Sequence, residues 1–164
     1  MITMAVWQAD KVLPHHAAPL YRPGRADTAI NFTLKDTAGK AVALSDYRGK
    51  FVVISMYADW CGPCLREAEP TRELVDYFLG NQVVWIFISF DRSESDWKAS
   101  IKKDQFKGVH LWGKPKSETL KSMLRFDNIP YYIWIDKDGK IALDNAPRPS
   151  SRNTKKQLKL FVGN

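Results

Sequence analysis

The chain has 164 residues, 45% of them hydrophobic and 12% aromatic, and a formal net charge of +7. That length and apolar content suit one domain with a substantial core, and they exclude both a disordered chain and a disulfide-stapled miniprotein. No run approaches the roughly 20 apolar residues of a transmembrane helix, and residues 1–10 lack the basic flank and apolar centre of a secretion signal. The chain is therefore expected to be cytosolic, or a form from which a targeting segment has been removed.

Residues 1–25 hold Pro14, His15, His16, Pro19, Pro23 and Gly24 with no apolar period, and read as an extended tail or linker before a domain over 26–164. Order is expected near Ile30. Ile30, Phe32 and Leu34 alternate with polar residues, Asp36-Thr37-Ala38-Gly39 supplies turn chemistry, and Ala41 to Leu44 returns, which predicts a β-hairpin. Residues 45–49 read as a short helical turn. Residues 51–56 form a nearly continuous apolar run, the pattern of a strand buried on both faces.

A helical pattern follows from residue 61, with Leu65, Ala68, Leu74, Val75 and Phe78 as its apolar positions; Pro70 is expected to kink it without ending it. Residues 83–90 predict a second buried strand, so the strand, helix, strand order points to a parallel pairing with an intervening crossover. Residues 93–103 read as a helix capped by Ser93, 109–112 as a short strand and 117–126 as a helix. Residues 131–135 and 140–143 read as a second hairpin across Asp136-Lys137-Asp138-Gly139, and 154–161 as a closing helix. The basic residues of the second half, from Lys98 to Lys159, are interrupted by acidic ones and lack any nucleic-acid motif, so they read as a solvated surface and no nucleic-acid partner is expected.

The chemistry concentrates in Trp60-Cys61-Gly62-Pro63-Cys64, which holds the only two cysteines of the chain. Two intervening residues let one helical turn bring both sulfurs within bonding reach, so the pair can switch between dithiol and disulfide. Cys61, at the helix N-terminus, is the expected nucleophile because unpaired N–H groups favour its thiolate; Cys64, one turn in and more shielded, is the expected resolving thiol. A zinc site needs about four ligands, and only His15, His16 and His110 could join the cysteines, so no metal is expected. A structural staple is also disfavoured, since closing so short a loop constrains the unfolded chain little.

These elements and motifs resemble the thioredoxin superfamily, and within it the TlpA/ResA-like thiol-disulfide oxidoreductases. The resemblance runs through Phe32-Thr33-Leu34-Lys35-Asp36, Leu44-Ser45-Asp46, the Trp60 to Cys64 motif, Ile129-Pro130 and the Asp136-Lys137-Asp138-Gly139-Lys140 turn. It implies an α/β thioredoxin-like fold, a central mixed sheet flanked by helices, with an N-terminal β-hairpin and an inserted helix-strand segment between residues 90 and 126. It implies exchange of protein disulfides without a cofactor, with Cys61 attacking and Cys64 resolving. Trp60, Gly62, Pro63, Ile129 and a cis Pro130 would form the substrate-binding rim. Glu67 matches the acid that ResA-like members place beneath the cysteines, with Glu69 as its alternative because Pro70 lies one residue further on than usual. Ser55 stands where plain thioredoxins carry a buried aspartate. The partners implied are a protein disulfide substrate and an upstream thiol electron donor, in the periplasm or cell envelope. A peroxiredoxin-like peroxidase is the first rival, against which Ala58 stands where a threonine is usual; a non-catalytic binding or redox-sensing module of the same fold is the second.

Overall fold

The computed structural model describes residues 27–28, 31–80 and 83–163. The expected tail over 1–25, with His15 and His16, lies outside them. Eight strands form one mixed sheet in the order β1-β8-β7-β4-β5-β6-β2-β3. At its centre is β4 (Phe51–Tyr57), every residue of which is buried. It pairs in parallel with β5 (Val83–Ser89) and antiparallel with β7 (Tyr131–Ile135). Strands with neighbours on both sides and both faces covered need no polar alternation, which is why 51–57 and 83–89 read as apolar runs.

The expected hairpins are present. β2 (Thr33–Lys35) pairs with β3 (Ala41–Ala43), and the turn between them is closed by Asp36, whose Oδ1 accepts from the N–H groups of Ala38 and Lys40, both at 2.9 Å. β7 pairs with β8 (Lys140–Leu143). A strand that the sequence did not announce, β1 (Asp27–Thr28), adds to the free edge of β8. The insert supplies α3 (Glu94–Asp104) and β6 (Val109–Trp112), which extends the sheet in parallel beside β5 and meets β2 at Lys35 and Trp112. Ser93 caps α3 as expected, its hydroxyl accepting from the Asp96 N–H at 3.1 Å.

Because paired residues project to the same face, Phe51, Val53, Ser55 and Tyr57 of β4 share one side with Tyr132, Trp134 and Phe87. On that side Phe161 of α5 (Thr154–Val162) packs on Phe51 and Trp134, with ring centroids 4.7 and 5.4 Å away. The opposite side carries Ile54, Ile86, Ile88 and Ile133, none of them exposed. There α4 (Ser117–Leu124) brings Leu120 so close to Ile88 that a Cβ on Gly113 would meet both, at 3.2 and 2.5 Å.

The helix after the cysteines departs from expectation. It is two helices, α1 (Gly62–Arg66) and α2 (Ala68–Phe78), broken at Glu67 and not kinked at Pro70. The cause is still Pro70: it has no N–H for the carbonyl of Arg66, four residues back, and its ring crowds that carbonyl, so the interruption falls a turn before the proline. The chain recovers at once, with the Glu67 N–H going to the Cys64 carbonyl at 3.1 Å and the Thr71 N–H to the Glu67 carbonyl at 2.8 Å.

Candidate active site

The end of β4 delivers the cysteines. A turn closed by the Cys61 N–H on the Ala58 carbonyl, 3.2 Å away, lifts the chain off the strand, and Cys61 caps α1 in an extended conformation. Pro63 fits the first turn because its missing N–H would have had no partner there. Cys61 and Cys64 form a disulfide with Cα atoms 5.2 Å apart. The two are about equally buried, 5% and 8% exposed, so the expected extra shielding of Cys64 is not seen. Their asymmetry is in hydrogen bonding instead: Cys61 Sγ accepts from the Cys64 N–H at 3.2 Å, an interaction that favours a thiolate at Cys61.

The loop before β7 closes over this sulfur. The Ile129–Pro130 peptide is cis, as the resemblance implies, and the Ile129 carbonyl oxygen lies 3.6 Å from Cys61 Sγ. In the disulfide this is a van der Waals contact; a Cys61 thiol could donate across it. Apolar groups are exposed around the sulfurs, beside the exposed Arg66. Trp60 is 52% exposed and is oriented by its indole N–H, which donates to the Phe90 carbonyl at 3.3 Å; Leu65 is 42% exposed, Gly62 is exposed and Pro63 is half-buried. Every residue expected from the sequence to form the rim therefore gathers at one place.

Glu67 has a partner that the sequence did not announce. It is buried at the break between α1 and α2, but its Oε2 accepts from the Ser150 N–H at 2.9 Å and its Oε1 from the Ser150 hydroxyl at 2.8 Å. Its carboxylate thus anchors the segment between β8 and α5. Glu69 is exposed and pairs with Arg72 on the outer surface.

Two features escaped the sequence reading. The first is a carboxyl pair beside the motif. Asp91, fully buried just past β5, accepts from the Asp59 N–H at 2.6 Å through Oδ1 and from the hydroxyls of Ser89 and Ser100 at 2.6 and 3.2 Å through Oδ2. A hydrogen bond to Asp91 holds the Asp59 carboxyl above the usual carboxylate range, with burial adding to it. The second is a cavity of about 20 Å³ beside Cys64, walled by apolar residues such as Leu65, Phe87 and Phe106 and by the polar residues Ser55, Tyr57, Thr71, Asp104 and Tyr132. Burial pushes the phenols of Tyr57 and Tyr132 upward, so both stay protonated in this space. Among the described residues no group of three or more His, Cys, Asp or Glu is placed to hold a metal ion.

A family model described as the AhpC/TSA family matches residues 26–144. The thiol-disulfide oxidoreductase ResA of Bacillus cereus is 28% identical over 135 residues, covering 82% of this chain and 74% of its own. ResA of Geobacillus kaustophilus is 47% identical over 116 residues, 70% of this chain and 64% of its own. A solved structure from Bacteroides vulgatus, assigned as a thiol-disulfide oxidoreductase, superposes with a TM-score of 0.75 at 29% identity, covering 88% of this chain and 99% of that one.

Proposed function

The chain belongs to the AhpC/TSA family and is a thiol-disulfide oxidoreductase of thioredoxin-like fold, and on that premise we propose that it reduces disulfides in extended segments of partner proteins. Cys61 attacks and Cys64 resolves. The observation that carries this order is the Cys64 N–H donated to Cys61 Sγ, since the sulfur that receives a backbone N–H is the one whose negative charge is stabilised. The substrate segment lies along the Ile129 backbone as an added strand, with Trp60, Gly62, Pro63 and Pro130 forming the apolar rim around its disulfide. Electrons return from an upstream dithiol, and the site of action is the periplasm or cell envelope, where relatives of the TlpA/ResA type are expected to work. Glu67 serves this reading by fixing the junction of α1 and α2 through Ser150. Peroxidase chemistry is disfavoured by Ala58, a fully buried residue with no hydroxyl to offer Cys61.

Trapping tests the order. Cys64→Ser should accumulate a mixed disulfide between Cys61 and a protein substrate, and Cys61→Ser should accumulate none; trapping through Cys64 would reverse the mechanism. The direction is tested by equilibration against glutathione. The Gly62-Pro63 dipeptide, shared with thioredoxin, leads to an expected potential near about −270 mV, and a value near the roughly −120 mV of a strong oxidant would overturn the reductase reading. Turnover of an insulin-like disulfide separates the enzyme from a non-catalytic module.

A further inference from the structure

We propose that Asp104, at the end of α3, accepts the Cys64 thiol proton in the resolving step through a single water held in the cavity that the two residues line. The proposal rests on the assignment of Cys64 as the resolving thiol.

Cys64 and Asp104 wall the cavity together with Ser55, Tyr57, Thr71 and Tyr132, and its volume of about 20 Å³ accommodates one water, which needs roughly 10–15 Å³ and two to four polar partners. The other polar groups here cannot take a proton. The Tyr132 and Tyr57 phenols are both held protonated by burial. Ser55 and Thr71 do not ionise in water's range. Asp104 is the one carboxylate on the wall, and among the described residues its carboxylate has no hydrogen-bond or ion-pair partner: the Arg72 guanidinium donates to the Asp104 backbone carbonyl at 3.0 Å. Glu67 has both oxygens engaged by Ser150 and is not part of the wall.

Asp104 is also suited to pass the proton on. It lines the cavity and is only half-buried, so it is also open to solvent. Burial raises its carboxyl above the ordinary value, toward that of the thiol it serves, and Asp91 past β5 acts in the same direction; Lys103 on α3, Arg72 on α2 and His110 on β6 oppose this. In the step itself the Cys64 S–H bond breaks and its proton goes through the water to Asp104. The Cys64 thiolate attacks Cys61 Sγ, the Cys61–Cys64 bond forms, and the bond from Cys61 to the substrate sulfur breaks. The leaving thiolate carries off the electron pair and takes a proton from solvent, so two electrons have passed from the cysteines to the substrate disulfide.

The test uses the reduced full chain and a symmetrical aromatic disulfide whose thiolate is coloured. One thiolate is released on attack by Cys61 and a second on resolution by Cys64, so the two events are read separately. Asp104→Asn should leave the first release within about twofold and slow the second about tenfold or more near neutral pH, where a positioned base contributes up to about 10²–10⁴-fold and water can partly take its place. The deficit should close as pH rises past the ordinary thiol value of about 8.5, and Asp104→Glu should restore the rate. In a Cys61→Ser background, thiolate absorbance should show Cys64 ionising more readily in Asp104→Asn, because a neighbouring negative charge has been removed. Slower resolution alongside easier ionisation is a signature that a purely structural or electrostatic role cannot give, since easier ionisation alone would speed the second release. An unchanged or faster second release in Asp104→Asn overturns the proposal, as does a second release that depends on Glu67→Gln and not on Asp104. A failure of the underlying assignment would look different: the first release would survive Cys61→Ser.

Discussion

Ser150 meets both carboxylate oxygens of Glu67, one with its backbone N–H at 2.9 Å and the other with its hydroxyl at 2.8 Å. Glu67 is 5% exposed while Ser150 is on the surface, so the serine is the acid's link to polar surroundings. Ser150→Ala removes the hydroxyl and leaves Oε1 buried without that donor. A hydrogen bond to a charged group contributes about 1.5–3 kcal/mol, so a loss of about 2 kcal/mol is expected. Urea denaturation should show a lower midpoint with an unchanged slope. No change would mean that water takes the place of the hydroxyl at Oε1.

Much of this site was legible before the structure. Two cysteines three apart after a buried strand point to a redox pair, a feature that local sequence carries, and the resemblance to the thioredoxin superfamily implied that the Ile129-Pro130 loop meets it. The partner of Glu67 was not legible, because Ser150 lies 83 residues away in a segment without period or motif. The same holds for Asp91 beneath Asp59 and for Asp104 on the cavity wall: a carboxylate on a helix or after a strand reads as solvated unless the tertiary fold buries it. The broken helix shows a different limit. Pro70 was visible, but which carbonyl its missing N–H leaves unpaired decides where the helix parts, and that falls at Arg66.

Gln157, on the inner face of α5, is 2% exposed, and neither its Oε1 nor its Nε2 has a hydrogen-bond partner among the described residues. Burying an amide without partners costs about 1–3 kcal/mol by mutational measures. Gln157→Met keeps the length and helix preference of the side chain and removes the polar atoms. The variant should therefore unfold at a higher denaturant concentration than the parent, by an amount equivalent to about 1 kcal/mol or more. A lower midpoint would mean that the amide has polar partners in solution.

The carboxyl pair beside the cysteines gives stability a pH dependence whose sign can be worked out. Asp59 has its folded-state pKa raised, first by its hydrogen bond with Asp91 and then by burial. A group with a raised folded pKa binds its proton more tightly in the native state, so its contribution is fully present below the unfolded carboxylate value of about 3.9 and is lost as pH rises through the folded value. As pH rises through the folded value, the Asp59 charge forms beside Asp91, directly before Trp60 and Cys61. Asp59→Asn replaces the titrating proton with an amide N–H that can donate to Asp91 at every pH. Its melting temperature should exceed that of the parent at pH 7, and the gap should shrink steadily as pH is lowered toward 4, where the parent regains its own proton. Asp59 is largely exposed, so solvent screening keeps the effect small, and added salt should reduce it further. A gap that stays constant across this range, or that widens on acidification, would show that the Asp59 carboxyl is not raised by its contact with Asp91.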